Sequence, residues 1–320
     1  MNQIVQCVPN LSEGKDLTKI NYIVEPLKNQ HGFKLISVEP DVNYNRTVIT
    51  LIGDPKKMIE PLITFFGRAI ETIDLNHHQG EHPRMGAVDV LPFIPISGIK
   101  IEECVDYAKQ ISEKLSSLYQ IPIFLYAQAA SEPNRIKLPD IRKGEFEGMK
   151  EKILLPEWKP DFGPHHIHPT FGAVAIGARI PLIAYNIDLA TSDEKVANAI
   201  AKAIRGSNGG FQFIQAGPAS IIDKGFVQVT MNILDYKKNP MYRIYETVKM
   251  EAERYHVLVT GSEVVGLIPK ETLLETINYY LQVNSIPLQK EMSLSEITKH
   301  AINYLKLRDF DESKIIEANL

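Results

Sequence analysis

The chain has 320 residues, of which 35 are Lys or Arg and 39 are Asp or Glu, so its formal net charge is −4. That balance excludes the broad basic face on which general nucleic-acid binding rests, and 44% hydrophobic against 23% charged residues excludes disorder. At roughly 150 residues per domain the length predicts two domains, large enough to bury a core without disulfide or metal staples.

Apolar periodicity alternates along the chain between about 2 and about 3.6, the sign of strands alternating with helices. Residues 4–8 read as a strand and 15–30 as a helix, with Ile20, Ile23 and Leu27 on one face. Strands rich in Val and Ile follow at 33–38 and 46–52. Asp54-Pro55 opens a long helix whose buried stripe is Met58, Ile59, Leu62, Phe66, Ile70 and Ile73. The apolar run 88–96 carries Pro92 and Pro95, and therefore reads as an edge or irregular strand. A helix at 101–118 and a strand at 121–126 come next.

The second half repeats this order. A strand at 181–188 precedes a helix capped by Ser192 and running to about 205. Strands at 211–222 and 226–234 suggest a hairpin around Asp223-Lys224-Gly225. Pro240 opens a helix to about 255, and 257–268 is strand again. Both halves read βαββαβ, the split βαβ or ferredoxin-like order, with no matching residue identity between them. The expected fold is α/β (α+β), with subdomains at 1–180 and 181–320, each a mixed sheet with helices on one face. The stretch 132–169 between them is rich in Pro, Gly and charge; residues 270–282 and 294–305 read as closing helices, and the tail from Arg308 as loose.

Cys7 and Cys104 are the only cysteines, far apart in sequence, which fits a reducing compartment. The N-terminus lacks the pattern of a signal peptide. The most apolar stretch, 171–189, is interrupted by Arg179, Pro181, Asn186 and Asp188, so no segment reads as a bilayer span. The expected location is the cytosol.

Six of the nine histidines fall in two short segments, one holding His77, His78 and His82, the other His165, His166 and His168. A solvated loop histidine is the commoner reading for any one of them. Clustering with Gly and Pro on expected loops raises the functional odds. His82 precedes Pro83, which disfavours helical backbone, so His82 and Arg84 are expected to be extended and to project to one side. A neutral imidazole beside a fixed cation suits moving a proton while an anion is held. The alternative is that Arg84 merely pairs with a surface carboxylate.

His166-x-His168 could contribute to a zinc site, but there is no His-Glu-x-x-His and no thiolate set, so no metal is expected. Phosphate-loop patterns are also missing, since Gly206-Ser207-Asn208-Gly209-Gly210 does not match G-x-G-x-x-G.

Gly80-Glu81-His82-Pro83-Arg84-Met85-Gly86-Ala87-Val88-Asp89 resembles the signature of the glutamate formiminotransferase family. So do Cys7-Val8-Pro9-Asn10-Leu11-Ser12-Glu13-Gly14, Asn45-Arg46-Thr47-Val48 and Asp161-Phe162-Gly163-Pro164. Phe226-Val227-Gln228-Val229-Thr230-Met231-Asn232 and Glu263-Val264-Val265-Gly266-Leu267-Ile268-Pro269 carry the resemblance into the second half, so that it spans about residues 2 to 285.

The resemblance implies transfer of a formimino group from N-formimino-L-glutamate to tetrahydrofolate in histidine breakdown, giving L-glutamate and 5-formimino-tetrahydrofolate. It implies two α/β subdomains packed sheet to sheet, helices outside and folate in the groove between them, in a homodimer. It implies that a separate cyclodeaminase processes the product, because this chain ends too early to include one.

By position, His82 matches the family's catalytic histidine and Arg84 its neighbouring active-site arginine. Glu39 falls where relatives carry an aspartate; it keeps the charge on a side chain one methylene longer. The folate-binding stretch matches Gly163-Pro164-His165-His166-Ile167-His168-Pro169 followed by Thr170-Phe171-Gly172.

The residues themselves fit this chemistry where they speak to it. Amine attack on an electron-poor carbon needs a proton shuttle, which an unperturbed His82 near pH 6.5 supplies, and a charge holder, Arg84. Phe171 could offer the pterin ring an apolar face or belong to the core. The charged stretch 135–152 reads as solvated surface, with a modest excess of Lys and Arg that could attract a polyglutamate tail. Three other readings stay open: formyl transfer between 5-formyl-tetrahydrofolate and glutamate, a folate-binding module without turnover, and a metal-dependent hydrolase built on the second histidine cluster.

Overall fold

The computed structural model describes residues 3–221, 225–288 and 291–320. The chain divides into two compact units, Met1–Ile180 and Pro181–Leu320.

The first unit opens with β1 (Ile4–Cys7) and β2 (Asn10–Leu11), which act as one strand interrupted at Val8 and Pro9. In α1 (Leu17–Val24) the Asp16 carboxylate caps the amides of Thr18 and Lys19. The helix expected over 15–30 is shorter because the chain tightens into a 3-10 turn at Glu25–Leu27, where Pro26 has no amide to continue an α-helical ladder. β3 (Phe33–Asp41) and β4 (Arg46–Gly53) pair as a hairpin, and α2 (Pro55–Thr72) starts from the Asp54 cap. Then come β5 (Val88–Ser97), α3 (Ile101–Tyr119), β6 (Ile123–Ala127), α4 (Leu138–Arg142), α5 (Glu145–Lys152) and β7 (Val174–Ala178).

These strands form one seven-stranded sheet. Counting β1 and β2 as one strand, the order β3-β4-β1/β2-β5 is the ferredoxin-like arrangement, antiparallel at every pairing. β7 and then β6 extend it beyond β5 in parallel, which makes the sheet mixed.

The proline-bearing β5 is an interior strand, not an edge. Pro92 falls between the pairs Val90↔Asn10 and Phe93↔Cys7, opposite the break at Val8 and Pro9, where no antiparallel partner asks for its amide. Pro95 lies opposite Val5, next to the register shift between Ile4 and Val5. β7 was not foreseen, because its continuous apolar run VAIGA shows no alternation; it is buried on both faces between β5 and β6.

Val174, Ile176 and Ala178 point into the core beneath α1, α2 and α3, together with Val5, Cys7, Ile49, Leu51 and Phe93. Ala175, one residue out of phase, joins a second core with Val90, Phe124, Tyr126, Ile141, Met149 and Ile153. Helices therefore cover both faces at the β5–β7–β6 end, and the expectation of helices on one face fails there. The charged stretch 135–152 is likewise more than solvated surface. It folds into α4 and α5, which bury Ile141 and Met149, and Arg135 is only 3% exposed, paired with Asp161 at 2.8 Å.

The second unit contains β8 (Ile183–Leu189), α6 (Glu194–Ile204), β9 (Ile214–Ile221), β10 (Phe226–Ile233), α7 (Met241–Glu253), β11 (Val259–Val265), α8 (Lys270–Val283) and α9 (Leu294–Leu305). The sheet order β11-β8-β10-β9 is again ferredoxin-like, and each pairing is antiparallel. The mixed character therefore belongs to the first sheet.

Alternate residues of these strands, among them Tyr185, Ile187, Val229 and Val264, pack with the apolar faces of α6 to α9. Asp193, not Ser192, caps α6, accepting the amide of Lys195 at 2.9 Å. β9 and β10 pair up to Ile221↔Phe226; the expected turn residues Asp223 and Lys224 lie outside the described residues. The tail from Arg308 is not loose. Arg308 pairs with Asp188 and Glu263, and Ile315 and Ile316 are buried beside the bridge Ile268↔Ile315. No helix among the described residues is long and apolar enough to cross a membrane.

Candidate active site

Between α2 and β5 the chain runs as a loop through His77, His78, His82 and Arg84 over the β2–β4–β5 part of the first sheet. A small pocket is lined there by Asn10, Ser12, Tyr44, Arg46, His78, His82, Arg84 and Asp89, among others. The strands supply Asn10, Arg46 and Asp89, and the loop supplies His78, His82 and Arg84.

His82 and Arg84 line the same pocket but take different partners. Arg46 donates from Nη1 to Nε2 of His82, so Nε2 carries a lone pair and the ring is neutral. Tyr44 meets the ring edge-on at 6.1 Å. Burial, with Arg46 and Arg142 adding positive charge nearby, pushes the His82 pKa down to about 3, against a smaller opposite pull from Asp89. The unperturbed imidazole expected from sequence is thus replaced by one locked in its neutral form at neutral pH.

Arg84 is 8% exposed and its guanidinium is already engaged. Nη1 and Nη2 donate to the two oxygens of Glu147 at 2.8 and 2.7 Å, and Nη1 also reaches Glu145 at 3.1 Å. Both carboxylates come from α5, 61 and 63 residues further on, and Glu147 raises the Arg84 pKa while its own falls to about 2. The carboxylate-paired alternative therefore describes Arg84 here, although the pairing is in the pocket wall. Nε of Arg84 donates to Nδ1 of His78 at 3.3 Å, and Nε2 of His78 donates to the Asn45 carbonyl at 2.9 Å, which fixes the His78 tautomer.

Asp89, 2% exposed, ties this wall together. One oxygen accepts the Met85 amide at 2.8 Å, and the other accepts Nε of Arg142 at 2.7 Å. Asp89 stood inside the quoted signature without a role, and Arg46 stood in Asn45-Arg46-Thr47-Val48; both were quoted but neither was recognised as lining the site.

Glu39 is placed apart from these contacts. It lies in the cross-strand row Glu39–Val48–Asn10–Val90, on the face that Arg46 shares two residues along β4. Its side chain is exposed and enters no hydrogen bond or ion pair among the described residues.

The loop 163–172 is fastened beside the histidine segment. Leu75 donates its amide to Thr170 O at 2.9 Å, Asn76 Nδ2 reaches Pro169 O at 2.9 Å, and Ala87 donates to Phe171 O at 2.8 Å. Gly163 and Gly172 both have φ of +84°, and Gly163, His165, His166 and Pro169 are exposed. Pro164, Ile167 and Thr170 are half-buried, and so is His168, whose Nδ1 accepts the Phe171 amide at 3.1 Å; that ring closes its own turn. Phe171 is fully buried against Phe66 and His168, so it is a core residue and offers a ligand no face. Among the described residues no three His, Cys, Asp or Glu side chains converge as metal ligands. Cys7 and Cys104 are buried free thiols, and burial raises both pKa values.

Two sequence models of one domain match the chain: the formiminotransferase domain N-terminal subdomain over residues 4–179, and the formiminotransferase domain over 184–320. A glutamate formimidoyltransferase of Streptococcus pyogenes serotype M1 is 44% identical over 292 residues, covering 91% of this chain and 98% of that protein. One of Thermoplasma acidophilum is 44% identical over 283 residues, covering 88% and 93%. A formimidoyltransferase-cyclodeaminase of Rattus norvegicus is 36% identical over 99% of this chain, which spans 60% of that longer protein.

Proposed function

The chain belongs to the formiminotransferase domain family, and we propose that it transfers the formimino group of N-formimino-L-glutamate to tetrahydrofolate, releasing L-glutamate. The observation that carries this reading is 44% identity to a glutamate formimidoyltransferase along 98% of that protein's length. The pocket's chemistry supports it, since Asn45, Arg46, His82 and Arg84 all line it.

Tetrahydrofolate supplies the secondary amine that receives the one-carbon group. A cradle for it is supported by the loop 163–172, whose exposed rim is fixed in shape by Pro164, Pro169 and two glycines at positive φ. The rim is bonded to the segment that carries His78 and His82.

His82 is neutral, and once Arg46 gives up its hold on Nε2 that nitrogen can take the proton that the attacking amine must lose and return it to the departing glutamate nitrogen. Arg84, held by Glu145 and Glu147, positions the loop around His82. Glu39 stands on the open face, where its carboxylate can orient a cationic formimino nitrogen. A homodimer in the cytoplasm, working ahead of a separate cyclodeaminase, is the setting we infer.

The test is a side-by-side assay of the purified protein with N-formimino-L-glutamate plus tetrahydrofolate and with 5-formyl-tetrahydrofolate plus glutamate, each with and without chelator. Turnover of the first pair, unchanged by chelator, supports the reading. Turnover of the second pair alone would move the chain to formyl transfer, and loss with chelator would bring back a metal-dependent reaction.

A further inference from the structure

Arg46 is the one arginine of the pocket whose charge is left without a counter-ion among the described residues. Arg84 holds Glu145 and Glu147, and Arg142 holds Asp89. Arg46 pairs with no carboxylate; it gives Nη1 to the neutral ring of His82, and its buried Nε has no hydrogen-bond partner. Asp41 lies opposite it across the hairpin, but that carboxylate is exposed and accepts the Tyr44 amide at 2.8 Å.

Arg46 is half-buried, and its buried Nε without a partner carries a desolvation cost that a ligand anion relieves on binding. Burial and the nearby Arg142 lower the Arg46 pKa to about 10, against opposite pulls from Asp89, Tyr44 and Asp41, none of them in direct contact, which still leaves it charged at neutral pH. Nε and Nη2 make the side-on edge of the guanidinium, spaced for the two oxygens of a carboxylate.

We propose that Arg46 is the receptor for a carboxylate of the dicarboxylic amino-acid substrate, turning its guanidinium edge to that carboxylate so that Nη1 releases the Nε2 lone pair of His82. This rests on the function proposed above, and it assigns to Arg46 the anion-holding task that Arg84, already engaged by two glutamates, does not perform. The geometry also couples binding to chemistry. The groups facing His82 are Arg46 from β4, Arg142 from α4, Asp89 from β5 and Tyr44 from the β3–β4 turn. A carboxylate on Arg46 cancels the nearest positive charge, so the ring becomes a stronger base only once the amino-acid substrate is in place.

The test compares wild type with Arg46→Gln and Arg46→Lys. In Arg46→Gln the KM for N-formimino-L-glutamate is expected to rise about 10–100-fold, the worth of a charge-assisted bidentate contact, with the KM for tetrahydrofolate within twofold. Arg46→Lys should fall between, since it keeps the charge without the fork. The acid limb of kcat/KM should move up in pH in Arg46→Gln, because His82 loses its nearest cation; a purely structural residue would not move that limb. Glutamate binding by calorimetry, weakened in Arg46→Gln, reads the same contact without turnover. An unchanged amino-acid KM and unchanged glutamate affinity, in a wild type that is active, overturns the proposal and leaves the transferase reading standing. A wild type inactive with both donor pairs overturns the transferase reading, and calorimetry then still decides whether Arg46 holds a carboxylate. Should Arg46→Gln not fold, Arg46→Lys carries the same two readouts.

Discussion

Gly86 and Gly172 face each other across an antiparallel bridge that ties the histidine loop to the 163–172 loop. Neither position has room for a side chain. A Cβ on Gly86 would lie 2.0 Å from Ala173 O, and one on Gly172 would lie 2.2 Å from Met85 O. The two loops proposed to hold the substrates are thus fastened backbone to backbone, and both depend on glycine for that approach.

Gly172→Ala should therefore be damaging on two counts, since Gly172 also has φ of +84°. Left-handed strain costs of order 1–3 kcal/mol, and the clash with a backbone oxygen cannot be relieved by a rotamer change. The expected outcome is a clear drop in the urea midpoint, with faster amide exchange at Ala87 and Ala173, whose hydrogen bonds flank the bridge. An unchanged midpoint would mean that the loops are not locked there.

His82→Ala tests the proton shuttle. Positioned proton transfer is typically worth about 10²–10⁴-fold, so kcat should fall by that order while folate affinity is kept. Weakened folate binding at near-normal kcat would instead make His82 a binding residue. Arg46 loses its hydrogen-bond acceptor in this variant, so His82→Gln, which keeps an acceptor at similar reach, is the control for pocket collapse.

The neutral state of His82 has a thermodynamic consequence. Its folded pKa, about 3, lies below the ordinary value of 6.5, so the unfolded chain binds the proton first as pH falls. Stability is then full above pH 6.5 and is lost progressively between 6.5 and 3. From pH 7 to pH 5 this one group can cost up to about 2 kcal/mol, less to the extent that solvent reaches the half-buried ring. Urea unfolding at pH 7 and pH 5 should show wild type losing more stability than His82→Gln. Equal losses in the two proteins would mean that His82 titrates normally.

Much of the fold was legible because it is local. Asp54-Pro55 marks the start of α2, the stripe from Met58 to Phe66 gives its buried face, and α9 keeps the expected bounds Leu294–Leu305. The prolines of β5 read as an edge or irregular strand, and it is irregular but interior, because the missing partner opposite Pro92 comes from a break 83 residues earlier, at Pro9. β7 was missed because a strand buried on both faces has no period-2 signal.

The site divides the same way. The histidine loop could be found in the sequence, whereas the carboxylates on Arg84 come from α5 and have no spacing that announces them. The His82 pKa depends on Arg46 and Arg142, 36 residues before it and 60 after, so an imidazole read from its neighbours alone looks ordinary.

Asp89 carries the last prediction. Its side chain is buried, one oxygen on the Met85 amide and the other on Nε of Arg142, so it anchors the loop carrying Arg84 and neutralises an arginine whose side chain is only 12% exposed. Asp89→Asn keeps the shape but turns an amide NH₂ toward one of these two donors and leaves Arg142 charged. Removing one partner of a buried pair typically costs about 3–5 kcal/mol, much of it the penalty of the stranded charge. The added positive field should also hold His82 neutral to still lower pH and weaken it as a base. Arg142→Gln in the same background removes the stranded charge, so the double variant should recover part of the stability and part of kcat relative to Asp89→Asn alone. Strictly additive losses in both quantities would show that Asp89 and Arg142 act independently, and that the pair does not set the charge around His82.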